Sequence, residues 1–352
     1  MTPLGRQIAA RIRLSGPMPL DEYMRLCLLH PQHGYYATRD PFGARGDFIT
    51  APEISQIFGE MVGLALAQAW LDQGRPAPFC LAEIGPGRGT LMADILRSIR
   101  VVPGMAEAAR IALIEASPHL RAVQRDRLGS VNQFREVEEL PDLPLFLVAN
   151  EFFDALPIRQ VQRVAQGWAE RMVGLDPQGG LGLVLAQAQP GPEAPEGEIR
   201  ETCPEAAPIA RRIAARIAAC GGAAILIDYG NWLGRGDSFQ ALRAHCPEDP
   251  FLNPGEADLT AHVDFAPLAG AARDAGAQVS AMLTQGEWLL RLGAEARAMR
   301  LRDAGDGGAM AALHRLTAPA EMGELFKVLG FWAPGAPPVA GLDALARQGI
   351  GE

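Results

Sequence analysis

The chain has 352 residues, 48% hydrophobic and 21% charged, with a net charge of −9. That is the composition of a globular protein with one large core and an appendage, or of two domains. The acidic balance argues against a nucleic acid held through its phosphates, which needs a basic groove, and suits a basic peptide or protein.

Five cysteines, Cys27, Cys80, Cys203, Cys220 and Cys246, fall at no C-x-x-C or zinc spacing, so neither a disulfide frame nor a metal site is expected, and a reducing compartment follows. No apolar run reaches the length of a membrane span. Arg6, Arg11 and Arg13 precede the first acid, Asp21, as in a mitochondrial presequence. Lys327 is nevertheless the only lysine, a bias of GC-rich bacterial genomes. The expectation is a bacterial, cytoplasmic protein, with the mitochondrial matrix as the place for a eukaryotic one.

Residues 1–75 read as a helical preface. Leu4 to Leu14 and Leu20 to Leu29 are amphipathic, broken by the turn Gly16-Pro17-Met18-Pro19. A loop rich in Gly, Pro and aromatics follows, flanked by Gly34, Gly43 and Gly46, and is expected to fold over a cofactor. His30 and His33 have no carboxylate or Cys at ligand spacing and are not read as metal ligands. Thr50-Ala51-Pro52-Glu53 has the form of a capping box that launches an apolar helix through Trp70. Thr50 and Glu53 also stand where the covering loop would meet the cofactor.

The chain is organised around FCLAEIGPGRGT, residues 79–90. Phe79 to Ile84 reads as a buried strand. Thr90 to Arg100 reads as a helix, because Leu91, Met92, Ile95, Leu96 and Ile99 share one face. Between them Gly85, Gly87 and Gly89 allow positive φ and leave the backbone open to a ligand, with helix N–H groups behind. A dinucleotide fingerprint would need Gly at position 90, where Thr90 stands. Glu83 before the loop would repel a pyrophosphate and attract a cation, which fits S-adenosylmethionine, with its sulfonium and amino group and no phosphate. Pro86 and Thr90 belong to the same cradle.

Arg110 to Glu115 reads as a second strand ending in an acid, placed to accept both ribose hydroxyls with its two oxygens, and Ser117-Pro118 opens the next helix. Val131 to Arg135 is a third strand, followed by Glu136, Glu138 and Glu139, one of which would meet an adenine amino group. Leu145 to Ala149 runs into Asn150-Glu151-Phe152-Phe153-Asp154, and residues 158–200 read as an inserted antiparallel sheet. Ala223 to Asp228 is a fifth strand; Gly276 to Thr284 and Leu325 to Phe331 are two more, separated by a helical insertion at 286–318. The divisions expected are 1–75, 76–332 and a loosely packed arm at 333–352. The alternation predicts an α/β, doubly wound and mostly parallel sheet with ligands at its carboxyl ends, where Glu83, Glu115, Asn150 and Asp228 all fall.

The fourth strand's end faces the reacting group. Glu151 and Asp154 are placed to grip a guanidinium, which keeps its proton to pH about 12 or above and needs carboxylates to orient it and draw charge from the attacking nitrogen. A competing reading takes Asn150 and Phe153 as a variant of the (Asn/Asp/Ser)-Pro-Pro-aromatic motif of amino and amide methyltransferases, with both prolines missing. His262 and Asp264 are either a base and its orienting partner or, for Asp264, a helix N-cap. Tyr229 and Asp237 are read as further walls.

The stretches GDFITAPEISQIFGE, EIGPGRGTLMADILR, ALIEASPHLR, VANEFFDALP, IDYG, ADLTAHVDF and LFKVL together resemble the MidA-like class I methyltransferases, from about residue 4 to 332. The resemblance implies a seven-stranded Rossmann-like sheet and S-adenosylmethionine as cofactor. It also implies a protein-arginine substrate, in the eukaryotic relative a core subunit of respiratory complex I, with symmetric dimethylation as product. By position Gly85, Gly87 and Gly89 match its cofactor loop and Glu115 its ribose acid. The partners expected are an arginine-bearing protein, no nucleic acid and no membrane, with a homodimer left open.

Overall fold

The computed structural model describes residues 1–38, 50–234 and 236–345. The N-terminal part is helical: α1 (Pro3–Ser15), α2 (Leu20–Leu29), α3 (Ala51–Ile54) and α4 (Gln56–Asp72). Thr2 caps α1 through its hydroxyl, with Pro3 in the first turn. The single helix expected from Thr50 through Trp70 is two. Ser55 is extended, ends α3, and opens α4 by accepting the Ile57 N–H on its own hydroxyl.

The core then alternates. It holds β1 (Phe79–Ile84), α5 (Thr90–Ile99), β2 (Ala109–Ile114), α6 (Pro118–Leu128), β3 (Asn132–Phe134) and β4 (Leu145–Asn150). After an insertion come α7 (Ala206–Cys220) and β5 (Gly222–Asn231), and after a second, α8 (Phe265–Asp274) and β6 (Gln278–Val279). Three helices, α9 (Gln285–Arg291), α10 (Ala294–Asp303) and α11 (Ala309–Thr317), lead to β7 (Phe326–Trp332).

The main path through the sheet is β3-β2-β1-β4-β5-β7-β6. Neighbours from β3 to β5 are parallel, while β7 runs antiparallel to both β5 and β6. This is the Rossmann-like sheet that the alternation predicts, and its order reverses between β1 and β4, where open α/β sheets place ligands. Strands β1 and β4 are buried throughout, and apolar but for Glu83 and Asn150 near their ends, because both faces are covered. Phe58, Leu66, Ile95, Trp288 and Leu313 pack one face, and Ile213, Ile217, Phe265 and Leu268 the other.

The expected strand over 276–284 is split into Gln278–Val279 and Leu283–Thr284, because buried Ser280 turns its hydroxyl onto the Gly330 N–H and interrupts the ladder. Residues 333–345 are no loose arm: Val339 and Leu342 are buried, and the Trp288 indole donates to the Ala340 carbonyl.

The insertion before α7 is an antiparallel sheet of Arg159–Val164, Gly167–Leu175, Leu181–Leu185 and Ile199–Thr202, joined by Met18–Pro19. The insertion before α8 is a three-stranded sheet that the sequence pattern does not reveal, made of Gln240–Arg243, Cys246–Glu248 and Asp258–Thr260. Helices α1 and α2 pack on these insertions, with Leu4, Ile8, Tyr23 and Met24 against Val173, Ala241 and Leu259. The chain thus has a second body facing the carboxyl ends of β1, β4 and β5. Among the described residues no helix is long and apolar enough to cross a membrane.

Candidate active site

A cavity of about 540 Å³ lies between the strand ends and that second body. One end is the turn from β1 into α5. Gly85, Gly87 and Gly89 all sit at positive φ, 65°, 49° and 77°, so the backbone makes a turn that side chains resist and lies bare towards the cavity.

Glu83 and Glu115 flank this turn, both buried. Burial pushes the Glu83 carboxyl up to about 8, against the pull of the Met92 N–H in α5. Glu83 Oε2 has no hydrogen-bond partner among the described residues. Glu115 accepts from the Ser117 N–H at 2.7 Å and from Gln124 Nε2 at 3.3 Å, and burial still lifts it to about 7. Gln124 also donates to the Gly87 carbonyl at 2.8 Å, tying the acid to the glycine turn. That glutamine was missed, since its role depends on which face of α6 meets β1.

The other end is assembled around Asp228, at the end of β5. Its Oδ2 accepts the N–H groups of Phe152, Phe153 and Asp154 at 3.2, 2.9 and 3.3 Å, and its Oδ1 that of Tyr229 at 3.0 Å. One carboxylate therefore fixes the whole turn after β4. Glu151 is held at φ 50°, a left-handed conformation unusual for glutamate. Its Oε1 accepts from Asn150 Nδ2 at 3.0 Å and from the Ala51 N–H of α3 at 3.4 Å. Burial, with the Asp154 charge second, pushes Glu151 up to about 8. Asp154 is raised to about 6 by burial, opposed by the neighbouring Tyr229 hydroxyl. Asp154 Oδ1 and Asn150 Oδ1 are buried and have no partner among the described residues.

Thr50, Glu53, Glu83, Gly85, Pro86, Gly87, Thr90, Glu115, Asn150, Glu151, Asp154 and His262 all line the cavity, so most of the residues singled out in the sequence come together. The capping box does not form: the Thr50 hydroxyl makes no cap, and the Glu53 carboxylate instead accepts from the Thr90 hydroxyl at the start of α5. Asp264 is not part of the site; its carboxylate accepts the Ala266 N–H and caps α8, so the pairing with His262 is overturned. His262 packs edge-on against Tyr229 at the mouth. Glu136 and Glu139 are engaged in a capping box of their own and Glu138 pairs with Arg212, so none of them faces the cavity. Asp237 holds Arg171 and Gln160 on the inserted sheet rather than walling the site. Phe153, the aromatic of the competing motif, is turned into the core beside Leu147 and Phe265. The covering loop lies, for residues 39–49, outside the described residues. Tyr36 is an unforeseen wall residue; Phe152, from the turn after β4, and Asp258, from the ADLTAHVDF stretch, also line the cavity.

The residues present fit S-adenosylmethionine. Two buried acceptors, Glu83 Oε2 and Asn150 Oδ1, have no donor among the described residues, Glu115 sits at the end of the neighbouring strand, and Gly85 and Gly87 of the turn line the same cavity.

A sheet that reverses between β1 and β4 and closes on an antiparallel β7 is the class I methyltransferase architecture. Residues 61–283 match the family model of S-adenosyl-L-methionine-dependent methyltransferases, and the chain belongs to that family. It is 35% identical over 364 residues to the protein arginine methyltransferase NDUFAF7, mitochondrial, of Mus musculus, spanning 93% of this chain and 83% of that one. The homolog of Drosophila melanogaster is likewise 35% identical, over 94% and 84% of the two chains. A crystal structure of a superfamily member from Burkholderia thailandensis, bound to S-adenosyl-homocysteine, superposes with a TM-score of 0.84 at 31% identity, covering 96% of this chain and 94% of that one.

Proposed function

We propose that this methyltransferase modifies a guanidinium nitrogen of arginine in a protein, to the symmetric dimethylated product. S-adenosylmethionine, when bound, supplies a methyl group on a sulfonium. Glu83, the turn Gly85-Pro86-Gly87 with Gly89 and Thr90, Glu115 and Asn150 would hold it, with Thr50 and Glu53 at its edge. Glu151 and Asp154 hold the guanidinium, and one of them takes the proton that the nitrogen must lose as it becomes alkylated. Because the acids are buried and raised, each can be neutral before the substrate enters and charged beside the cation.

The observation that carries this reading is Asp154 Oδ1, an acceptor buried at the substrate end with no donor among the described residues. The names of the relatives from Mus musculus and Drosophila melanogaster support the same choice of substrate. The family resemblance points to a core subunit of respiratory complex I as the client, in the bacterial cytoplasm. An amide or amino substrate is less well served, since Phe153 does not face the site.

Mass spectrometry of methylated arginines in cells with and without the gene tests it. A small set of dimethylarginines should vanish with the gene and return with the wild-type protein but not with Asp154→Asn. An unchanged arginine methylome would sink the proposal. Full restoration of the client complex by Asp154→Asn would instead favour a binding role without catalysis.

A further inference from the structure

Helix α6 brings Gln124 between the glycine turn and Glu115, and both ends of its amide are engaged. The residue is fully buried. Its Nε2 donates to the Gly87 carbonyl at 2.8 Å and to Glu115 Oε2 at 3.3 Å, while its Oε1 accepts from Gln133 Nε2 at 3.0 Å. Gln133 stands in β3, the strand at the end of the main sheet path, and its amide is engaged at both ends as well. Its Nε2 also donates to the Arg121 carbonyl at 2.8 Å, and its Oε1 accepts from the Arg125 guanidinium at 2.6 Å.

This chain of amides runs in one direction only. A guanidinium donates and a main-chain carbonyl accepts, so Arg125 and Arg121 decide which end of the Gln133 amide is oxygen and which is nitrogen. Gln133 then presents a donor to Gln124, which must turn its own oxygen towards β3 and its two N–H groups towards Gly87 and Glu115. The other oxygen of Glu115 accepts the Ser117 N–H at 2.7 Å. With its two oxygens held separately, by the backbone and by the glutamine, the carboxylate has a fixed plane and keeps lone-pair capacity on both oxygens for hydroxyl donors. Burial raises the Glu115 carboxyl, and the Ser117 N–H, Gln124 and Arg121 all oppose that rise, favouring the charged acceptor. The approach of α6 to the turn also depends on glycine, since a Cβ at Gly89 would come within 2.9 Å of Leu128 Cδ1.

We infer that Gln124, oriented by Gln133, is a positioning residue for the cofactor ribose: it locks the Glu115 carboxylate and the Gly87 main chain into one unit, so that the site selects a ligand carrying both ribose hydroxyls. This rests on Glu115 being the ribose acid and extends that reading to two glutamines that do not line the cavity and act through Glu115 and the turn. A carboxylate free to rotate about its last bond meets two hydroxyls in several geometries and gains less from each, because the hydrogen bond is directional. A ligand without one of those hydroxyls needs less alignment, so the loss of Gln124 falls mainly on the hydroxylated ligand. The short strand β3 thereby contributes to cofactor selectivity from outside the site.

Calorimetry on the full chain with S-adenosyl-homocysteine and its 2′-deoxyribose analogue tests this, because the ratio of the two affinities cancels a general weakening of the turn. Wild type should favour the hydroxylated ligand about 10-fold, Glu115→Ala should bring the ratio to about 1, and Gln124→Met, which keeps the size and removes donor and acceptor, to about 3 or less. Gln133→Met should lower the ratio about twofold, although it removes no group that touches Glu115. Equal weakening of both ligands in Gln124→Met, with the ratio unchanged, overturns the inference and leaves Glu115 as the ribose acid. An unchanged ratio in Glu115→Ala removes the ribose acid itself, and the inference falls with it. Should Gln124→Met fail to fold, Gln133→Met decides alone: a ratio equal to that of wild type overturns the inference.

Discussion

The two ends of the cavity are built differently. Most of the cofactor end comes from one stretch of chain: β1, the glycine turn, α5, β2 and α6 follow one another, Gln124 ties Glu115 back to Gly87, and only Asn150, Thr50 and Glu53 come from elsewhere. The substrate end draws Asp154, Tyr229 and, through the Ala261 N–H that bonds the Asp154 carbonyl, the three-stranded insertion, so it joins three separated segments, one of them outside the main sheet. The contrast teaches where each kind of specificity resides. Cofactor recognition is a local property of the first βαβ unit, whereas substrate recognition depends on the insertions docking correctly on the strand ends.

The sharpest way to break the comparison is to damage one end and read the other. Gly87→Val puts a branched side chain at φ 49° inside the turn and should cut S-adenosylmethionine affinity about 100-fold or more, while calorimetric ethylguanidinium binding changes little. Glu115→Ala should have a smaller effect in the same direction, about 10-fold. Loss of both ligands in either variant would show that the ends are not separable.

A smaller effect comes from proton linkage at the substrate end. Asp154 and Glu151 are pushed up to about 6 and about 8, and a cation is held only by their charged forms. Methyl transfer should therefore fall by about tenfold per unit as pH drops from 8 to 6 and more steeply still below about 6, measured as kcat/KM on an arginine peptide. A flat profile across that range would remove these acids from the transfer.

The smallest effect is on stability. A carboxyl whose folded pKa is raised binds its proton more tightly in the folded state, so it weakens the fold as pH rises from its unfolded value towards about 8. Glu151→Gln removes that penalty. Its Tm should exceed wild type by about 2–4 °C at pH 8 and match it near pH 4. A lower Tm at pH 8 would mean that the carboxylate's hydrogen bonds outweigh its burial.

The same contrast explains what could be read from the sequence. The β1 strand, the helix after it and the acids Glu83 and Glu115 were legible because an apolar run, spaced glycines and strand-end acids are local signals. Asp154 and Glu151 were legible from chemistry, as acids beside a strand end. The pairing of Tyr36 with Asp258 was not, because their bond spans 222 positions and no periodicity records it. Asp264 illustrates an ambiguity of residue type: a carboxylate before a helix serves as a cap or as a base, and only the Ala266 contact decides. Thr50 and Glu53 satisfy a capping pattern on paper, yet a tertiary partner, Thr90, competes for the glutamate and prevails. The three-stranded insertion was invisible because its strands are three or four residues long and one of them carries Pro247, a residue that argues against a strand.

Helix α3 has four residues and touches both ends. Its Ala51 N–H bonds Glu151, and its Glu53 bonds Thr90. A single rigid turn that reports on two ligands makes their occupancies interdependent. By reciprocity, whatever factor a ligand at one end adds to the affinity for a ligand at the other, the second adds to the affinity for the first.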